Sequence, residues 1–101
     1  QLNDSLKLLM QFEKVCFIGD TNLTPKNDKN LILNCFKDVY LEIDNTKENK
    51  YTYDGILNPM LSNKLRSRVD RAYVKNIHII NFTLEKNIIM SDHFGLLLNI
   101  N

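Results

Sequence analysis

Five polar side chains of kinds that can act on a phosphate ester, Asp20, Asn22, Asp70, Asp92 and His93, stand where apolar runs begin or end. In Phe17-Ile18-Gly19-Asp20-Thr21-Asn22 an apolar strand runs straight into an Asp-x-Asn turn. Asp20 is an acceptor that can orient or deprotonate a water, and Asn22 can donate its amide to a phosphoryl oxygen without adding negative charge. Alternation through an extended turn puts both on one side. In Ser91-Asp92-His93-Phe94-Gly95 a second polar cluster opens the last apolar run. His93 can donate to a phosphoryl oxygen and favour charge developing there, provided that a carboxylate holds its ring and tautomer. Asp70, which opens a third strand in Arg68-Val69-Asp70-Arg71, is the carboxylate assigned to that task. Displacement at phosphorus needs a nucleophile, groups that offset charge on the phosphoryl oxygens, and a way to stabilise the leaving oxygen. The three strand ends hold candidates for each.

Taken singly these signals are weak, because Asp-x-Asn and Ser-Asp-His both serve as ordinary turns. Their value depends on the elements that position them. Residues 15–18 are apolar on both faces, as in a strand buried between layers, and Gly19 permits a sharp exit. Upstream, Leu2, Leu6, Leu9 and Met10 recur at helical spacing, which predicts an amphipathic helix over residues 2–12 that packs its stripe on the sheet. Downstream, Pro25 and Asn27-Asp28 mark a loop and a helix N-cap, and apolar residues at helical spacing continue over residues 31–43, which fits one broken helix or two short ones. Residues 44–50 read as a solvated loop, and residues 51–53 as a short strand. Residues 69–74, 77–84 and 94–100 are rich in β-branched and large apolar side chains and read as strands that pair antiparallel across short connections.

Between these elements, residues 54–64 hold Gly55, Asn58, Pro59 and Asn63 and form a long irregular loop. Loops of that length in compact domains are commonly functional. Ile56, Leu57, Met60 and Leu61 can line a wall against a substrate, or fold into a small apolar cluster of their own on the sheet. Lys64, Arg66 and Arg68 alternate and so share one side of an extended chain, with Arg71 close behind. They suit a rail for phosphates, which supplies salt-sensitive and sequence-independent affinity for nucleic acid. The alternative is a basic guard on a sheet edge, and a formal net charge of +1 argues against a broad basic face. His78 lies within a strand pattern and has no motif around it.

Composition bounds the class. With 44% hydrophobic and 25% charged residues and no apolar run near the ~20 residues of a membrane span, the chain reads as an intracellular globular piece with no membrane partner. Whether it is nuclear or cytoplasmic is left open. Cys16 and Cys35 have no ligand spacing and read as core thiols. At 101 residues the chain is long enough to bury a modest core.

The order Gly19-Asp20-Thr21-Asn22, then Asp70 on its strand, then Ser91-Asp92-His93-Phe94-Gly95-Leu96-Leu97 resembles the C-terminal half of the endonuclease/exonuclease/phosphatase superfamily over nearly the whole chain. Thr21, Tyr51-Thr52-Tyr53-Asp54 and the Ser91-Asp92-His93 ending most resemble its tyrosyl-DNA phosphodiesterase 2 branch. The resemblance implies an α/β fold, a four-layered two-sheet sandwich with outer helices. Residues 1–101 are then the C-terminal part of a single domain, supplying one sheet, with an N-terminal half that carries the other sheet, a metal-binding Glu and a substrate-positioning Asn. It assigns Asp20, Asn22, Asp70 and His93 to catalysis, Asp92 to Mg²⁺ (or Mn²⁺), and Lys64, Arg66, Arg68, Arg71, Tyr53 and Leu61 to DNA and its phosphates. The implied function is metal-dependent hydrolysis of 5′-phosphotyrosyl bonds in DNA repair, on DNA 5′ ends that carry a tyrosyl adduct. An abasic endonuclease, a small-molecule phosphatase and a non-catalytic DNA-binding remnant are the alternatives. The chain without its other half is expected to be inactive.

Overall fold

The computed structural model describes residues 2–23, 28, 35–44, 46–87 and 91–101. Helix α1 spans Leu2–Leu9. Its stripe is the expected one: Leu6 is buried, and Leu2 and Leu9 pack with it against Val15, Phe36 and Tyr73. The helix ends before residue 12, leaving Met10 and Phe12 exposed. Its last carbonyls are met by the chain that follows, the Met10 amide donating to those of Leu6 and Lys7 and the Phe12 amide to that of Leu9, and Lys75 Nζ fastens this exit by donating to the carbonyls of Met10 and Phe12.

Strand β1 (Val15–Asp20) pairs antiparallel with β5 (Asp70–Lys75), in an unbroken register from Val15 opposite Lys75 to Asp20 opposite Asp70. Strand β2 (Lys37–Asp38) pairs with the other edge of β5, so β5 is the middle of the sheet. Alternation then sends its side chains to two cores. Tyr73 faces the α1 cluster, while Ala72 and Val74 join Val39, Tyr40, Ile79, Phe82, Leu84 and Phe94. The strand buried on both faces is therefore β5 and not β1, as the run at residues 15–18 suggests. In β1 only Val15 is buried, and Cys16 and Ile18 look outward on an edge strand. Both cysteines are exposed, which corrects the reading of them as core thiols.

The helical stretch expected over residues 31–43 lies partly outside the described residues, and where it is described it is replaced. Lys37 and Asp38 form strand β2, and Tyr40–Asp44 form a π-helical turn. Lys37 and Asp38 find ladder partners in Val74 and Tyr73, and the Asp38 carboxylate pairs with Arg68, so tertiary partners override the helical spacing. Residues 44–50 include a single 3₁₀ turn, Lys47–Asn49, and Asn49 Oδ1 accepts from the Leu84 amide.

Strands β6 (Ile79–Glu85) and β7 (Gly95–Ile100) form an antiparallel pair of their own. Strands β3 (Tyr53–Asp54) and β4 (Arg66–Ser67) form a third, only two residues long. The expectation of one continuous sheet becomes, among the described residues, three separate sheets, with every pairing antiparallel. The loop between β3 and β4 folds back tightly: a Cβ on Gly55 would lie 2.3 Å from the Asn63 carbonyl oxygen, so no side chain fits there. No helix among the described residues is long and apolar enough to cross a membrane.

Candidate active site

The register of β1 against β5 sets Asp20 directly across from Asp70 at the end of the sheet. Two like charges facing each other weaken a ladder, so this pairing is a local cost rather than a source of stability. The turn that follows is closed by its own side chains. The Asn22 amide donates to Asp20 Oδ1 at 2.9 Å, and the Leu23 amide to Thr21 Oγ1 at 3.3 Å. Thr21 in turn donates from both its amide (2.7 Å) and its hydroxyl (2.8 Å) to the Val69 carbonyl, which fastens the turn to the strand bearing Asp70. Asn22 has φ of 51°, the left-handed region that asparagine tolerates better than most residues. The turn is thus not extended, and the alternation that was to align Asp20 with Asn22 does not apply. Gly19 has no positive φ and sits within β1, so the sharp exit is made by Asn22 instead.

His93 approaches from a different ladder. Its Nδ1 lies 2.6 Å from Asp70 Oδ2, which brings together the two residues that the sequence pairs and turns Nε2 away from Asp70. One ligand atom from each of Asp20, Asp70 and His93 falls within 4.8 Å of the others. Burial by itself pulls the imidazole down, but the hydrogen bond and charge of Asp70, with the charges of Asp92 and Asp20, outweigh it and hold His93 above its ordinary value. Asp92 is exposed, 4.0 Å from His93 Nε2 through Oδ1, which also accepts from the Ser91 hydroxyl at 3.2 Å. Tyr53 meets the His93 ring edge-on, with centroids 5.6 Å apart, and its hydroxyl accepts from Asn63 Nδ2 at 2.9 Å.

The basic residues divide. Lys50, Arg66, Arg68 and Arg71 line one cavity of about 320 Å³ with Tyr51 and Asp28, whereas Lys64 is exposed and outside it. Each arginine is already paired with a carboxylate, which a free rail of cations would not be. Arg66 holds Asp54 through Nε (3.0 Å) and Nη2 (2.9 Å), Arg68 holds Asp38, and Arg71 grips Asp28 with both terminal nitrogens. Asp54 is buried, which pushes its carboxyl up, yet Arg66 and the amides of Ile56 and Leu57 keep it below its usual range. The Arg71 bond lowers Asp28 likewise. In the loop, Ile56, Leu57 and Met60 are exposed, so they do not fold into an apolar cluster of their own; Leu61 is half-buried. His78 is exposed, and its carbonyl accepts from the Asn101 amide.

Sequence reasoning passed over Thr52 and Asn58, which are buried and tie the site's strand ends together. Two polar residues in a stretch of turn-formers gave no periodic signal of burial. Asp54 and Asp38 were missed in the same way, each being a buried carboxylate whose partner arginine is distant in sequence.

No family model matches the sequence, and no curated protein does. Solved structures match its fold. A crystal structure of D. rerio TDP2 complexed with single strand DNA product superposes over 100% of this chain and 48% of that one, at TM-score 0.86 and 23% identity. The fold is that of TDP2. A humanized D. rerio TDP2 carrying 14 mutations matches at TM-score 0.82 and 23% identity over 100% of this chain and 47% of its own, and truncated Caenorhabditis elegans TDP2 at 0.74 and 24% over 94% and 42%. The chain spans about half the length of these TDP2 structures. That agrees with the α/β half-sandwich expected from the residue order.

Proposed function

We propose that this chain is the C-terminal half of a metal-dependent phosphodiesterase domain that hydrolyses 5′-phosphotyrosyl bonds at DNA ends. The observation that carries the reading is the Asp70–His93 pair, 2.6 Å apart, set beside Asp20 at converging strand ends within a TDP2 fold. With Nδ1 held by Asp70, His93 Nε2 is the nitrogen left to meet a phosphoryl oxygen, and its raised proton affinity favours the donating form. Asp20 is exposed, with one oxygen on the Asn22 amide, and can orient a water for in-line attack. Tyrosine is a good leaving group, so the demand on a general acid is modest.

The donor set fits a hard cation, since Asp92 is an exposed carboxylate beside His93 and the Asp20 and Asp70 carboxylates converge on the same imidazole, all offering oxygens. Mg²⁺ held there would offset charge on the phosphoryl oxygens. The TDP2 structure with a single strand DNA product supports a DNA end as ligand, and the cavity lined by Lys50 and the carboxylate-paired Arg66, Arg68 and Arg71 offers its phosphates a basic surface.

The test is turnover by the complete domain of a 5′-tyrosyl oligonucleotide beside an abasic duplex, with Mg²⁺ and with chelator. Release of a 5′-phosphorylated product from the first substrate alone, abolished by Asp20→Ala, is the expected result. Activity on the abasic duplex alone would move the protein to an endonuclease role, and no activity on either would defeat the reading.

A further inference from the structure

Asp70 opens β5 and His93 precedes β7, yet β5 and β7 belong to different ladders and share no backbone pairing. Something other than a sheet must set the 2.6 Å between them. The segment from Thr52 to Asn58 touches both. Thr52 Oγ1 accepts from the Asp70 amide at 3.0 Å, and the Thr52 carbonyl accepts from the Phe94 amide at 2.7 Å. Asn58 Nδ2 donates to the Ser91 carbonyl at 3.0 Å. One short segment therefore grips Asp70 itself, the residue after His93 and the residue two before it.

The grip is closed on itself, because among the described residues no buried side-chain polar atom is left without a partner. Asn58 Oδ1 accepts from the Met60 amide, and the Asn58 amide donates to the Asp54 carbonyl. Asp54 is fastened by Arg66 and by the amides of Ile56 and Leu57. Thr52, Asp54 and Asn58 are at most 2% exposed, and hydrogen bonds so shielded from water are costly to break.

We propose that Thr52 and Asn58 are positioning residues that hold Asp70 against His93, acting through the backbone of residues 70, 91 and 94. The proposal rests on the phosphodiesterase reading for its catalytic consequence, but the clamp itself is a claim about geometry.

Thr52→Val keeps the shape and removes the hydroxyl acceptor; Thr52→Ser restores it. In the wild-type protein at fixed pH, nitrogen-15 NMR should show an Nδ1-protonated His93 with a low-field, solvent-protected proton. In Thr52→Val that signal should broaden or vanish and the Asp70 amide should exchange at least ~10-fold faster, with both recovered in Thr52→Ser. Turnover should fall roughly 10- to 100-fold in kcat, the scale of an ångström-level misplacement, with KM within about twofold. Asn58→Asp, which loses the donor to Ser91, should repeat the spectral change should Thr52→Val fail to fold. A wild-type Nδ1 proton signal in Thr52→Val or in a folded Asn58→Asp overturns the clamp. Loss of that signal in Thr52→Val, when the wild-type protein itself turns over no 5′-tyrosyl oligonucleotide, would overturn the phosphodiesterase reading and leave the clamp standing.

Discussion

Asp20 meets Asp70 across a ladder, whereas Asp70 meets His93 across a gap between ladders, and the two junctions are built from different materials. The first follows from six consecutive backbone pairs, any of which would have to slip to undo it. The second hangs on a few hydrogen bonds from Thr52 and Asn58 and on the edge of the Tyr53 ring. A register is robust, because a one-residue slip turns every side chain of β1 to the other face. A clamp of buried polar groups depends on each of its members.

The largest expected effect comes from the residue that belongs to both junctions. Asp70→Asn keeps the size but removes the negative charge that favours a protonated His93, and hydrolysis of a 5′-tyrosyl oligonucleotide by the complete domain should fall roughly 10²- to 10⁴-fold, the range for loss of positioned acid–base catalysis. Turnover within threefold of wild type would break the comparison at its centre, since neither junction would then serve the reaction.

Next in size is Asp54→Asn, which strikes the clamp alone. It leaves the Arg66 guanidinium short of a bidentate partner and should lower the urea midpoint of unfolding. The sign with pH follows from the depressed Asp54 carboxyl. Stability from that group is fully present above the unfolded carboxylate value near ~3.9 and is lost as pH falls through the lower folded one. The urea midpoint of the wild type should therefore drop more steeply than that of Asp54→Asn on acidification below about pH 4. Parallel curves would show that Arg66 and the loop amides do not hold the charge.

Gly55→Ala tests the fold-back that lets the clamp reach the site. A methyl 2.3 Å from the Asn63 carbonyl oxygen must displace the backbone, and overpacking of this kind costs about 1–3 kcal/mol. Because Asn63 Nδ2 donates to Tyr53, the same change should disturb the Tyr53–His93 contact, visible as a shift of the His93 ring protons. An unchanged ring would uncouple the loop from the second junction.

The same division explains what could be read in the residues. Strands β5, β6 and β7 fall within two residues of the apolar runs that announce them, and the Asp70–His93 partnership was legible from residue order and chemistry. Alternating apolar residues report on burial against a sheet, and nothing more is needed to place such strands. The clamp was not legible, because the burial of Thr52, Asp54 and Asn58 has no period: it comes from partners at residues 66, 70 and 91. Helical spacing over residues 35–39 misled for a related reason, since Asp38 is held in a strand by Arg68 and β5. The apolar run of β1 suggested two buried faces, and here one is open.

That open face gives the smallest effect and the one most sensitive to context. Ile18 is 51% exposed on β1, so Ile18→Thr should change the stability of this chain by no more than about 0.5 kcal/mol. Val15, buried on the same strand against Leu6, Phe36 and Tyr73, should lose more than 1 kcal/mol on the matching Val15→Thr change, roughly what a buried methyl traded for a hydroxyl costs. If a second sheet covers Cys16 and Ile18 in the complete domain, Ile18→Thr should become as costly there as Val15→Thr is here. Equal and small costs for Ile18→Thr in both settings would mean that nothing packs on this face, and the two-sheet sandwich would have to close elsewhere.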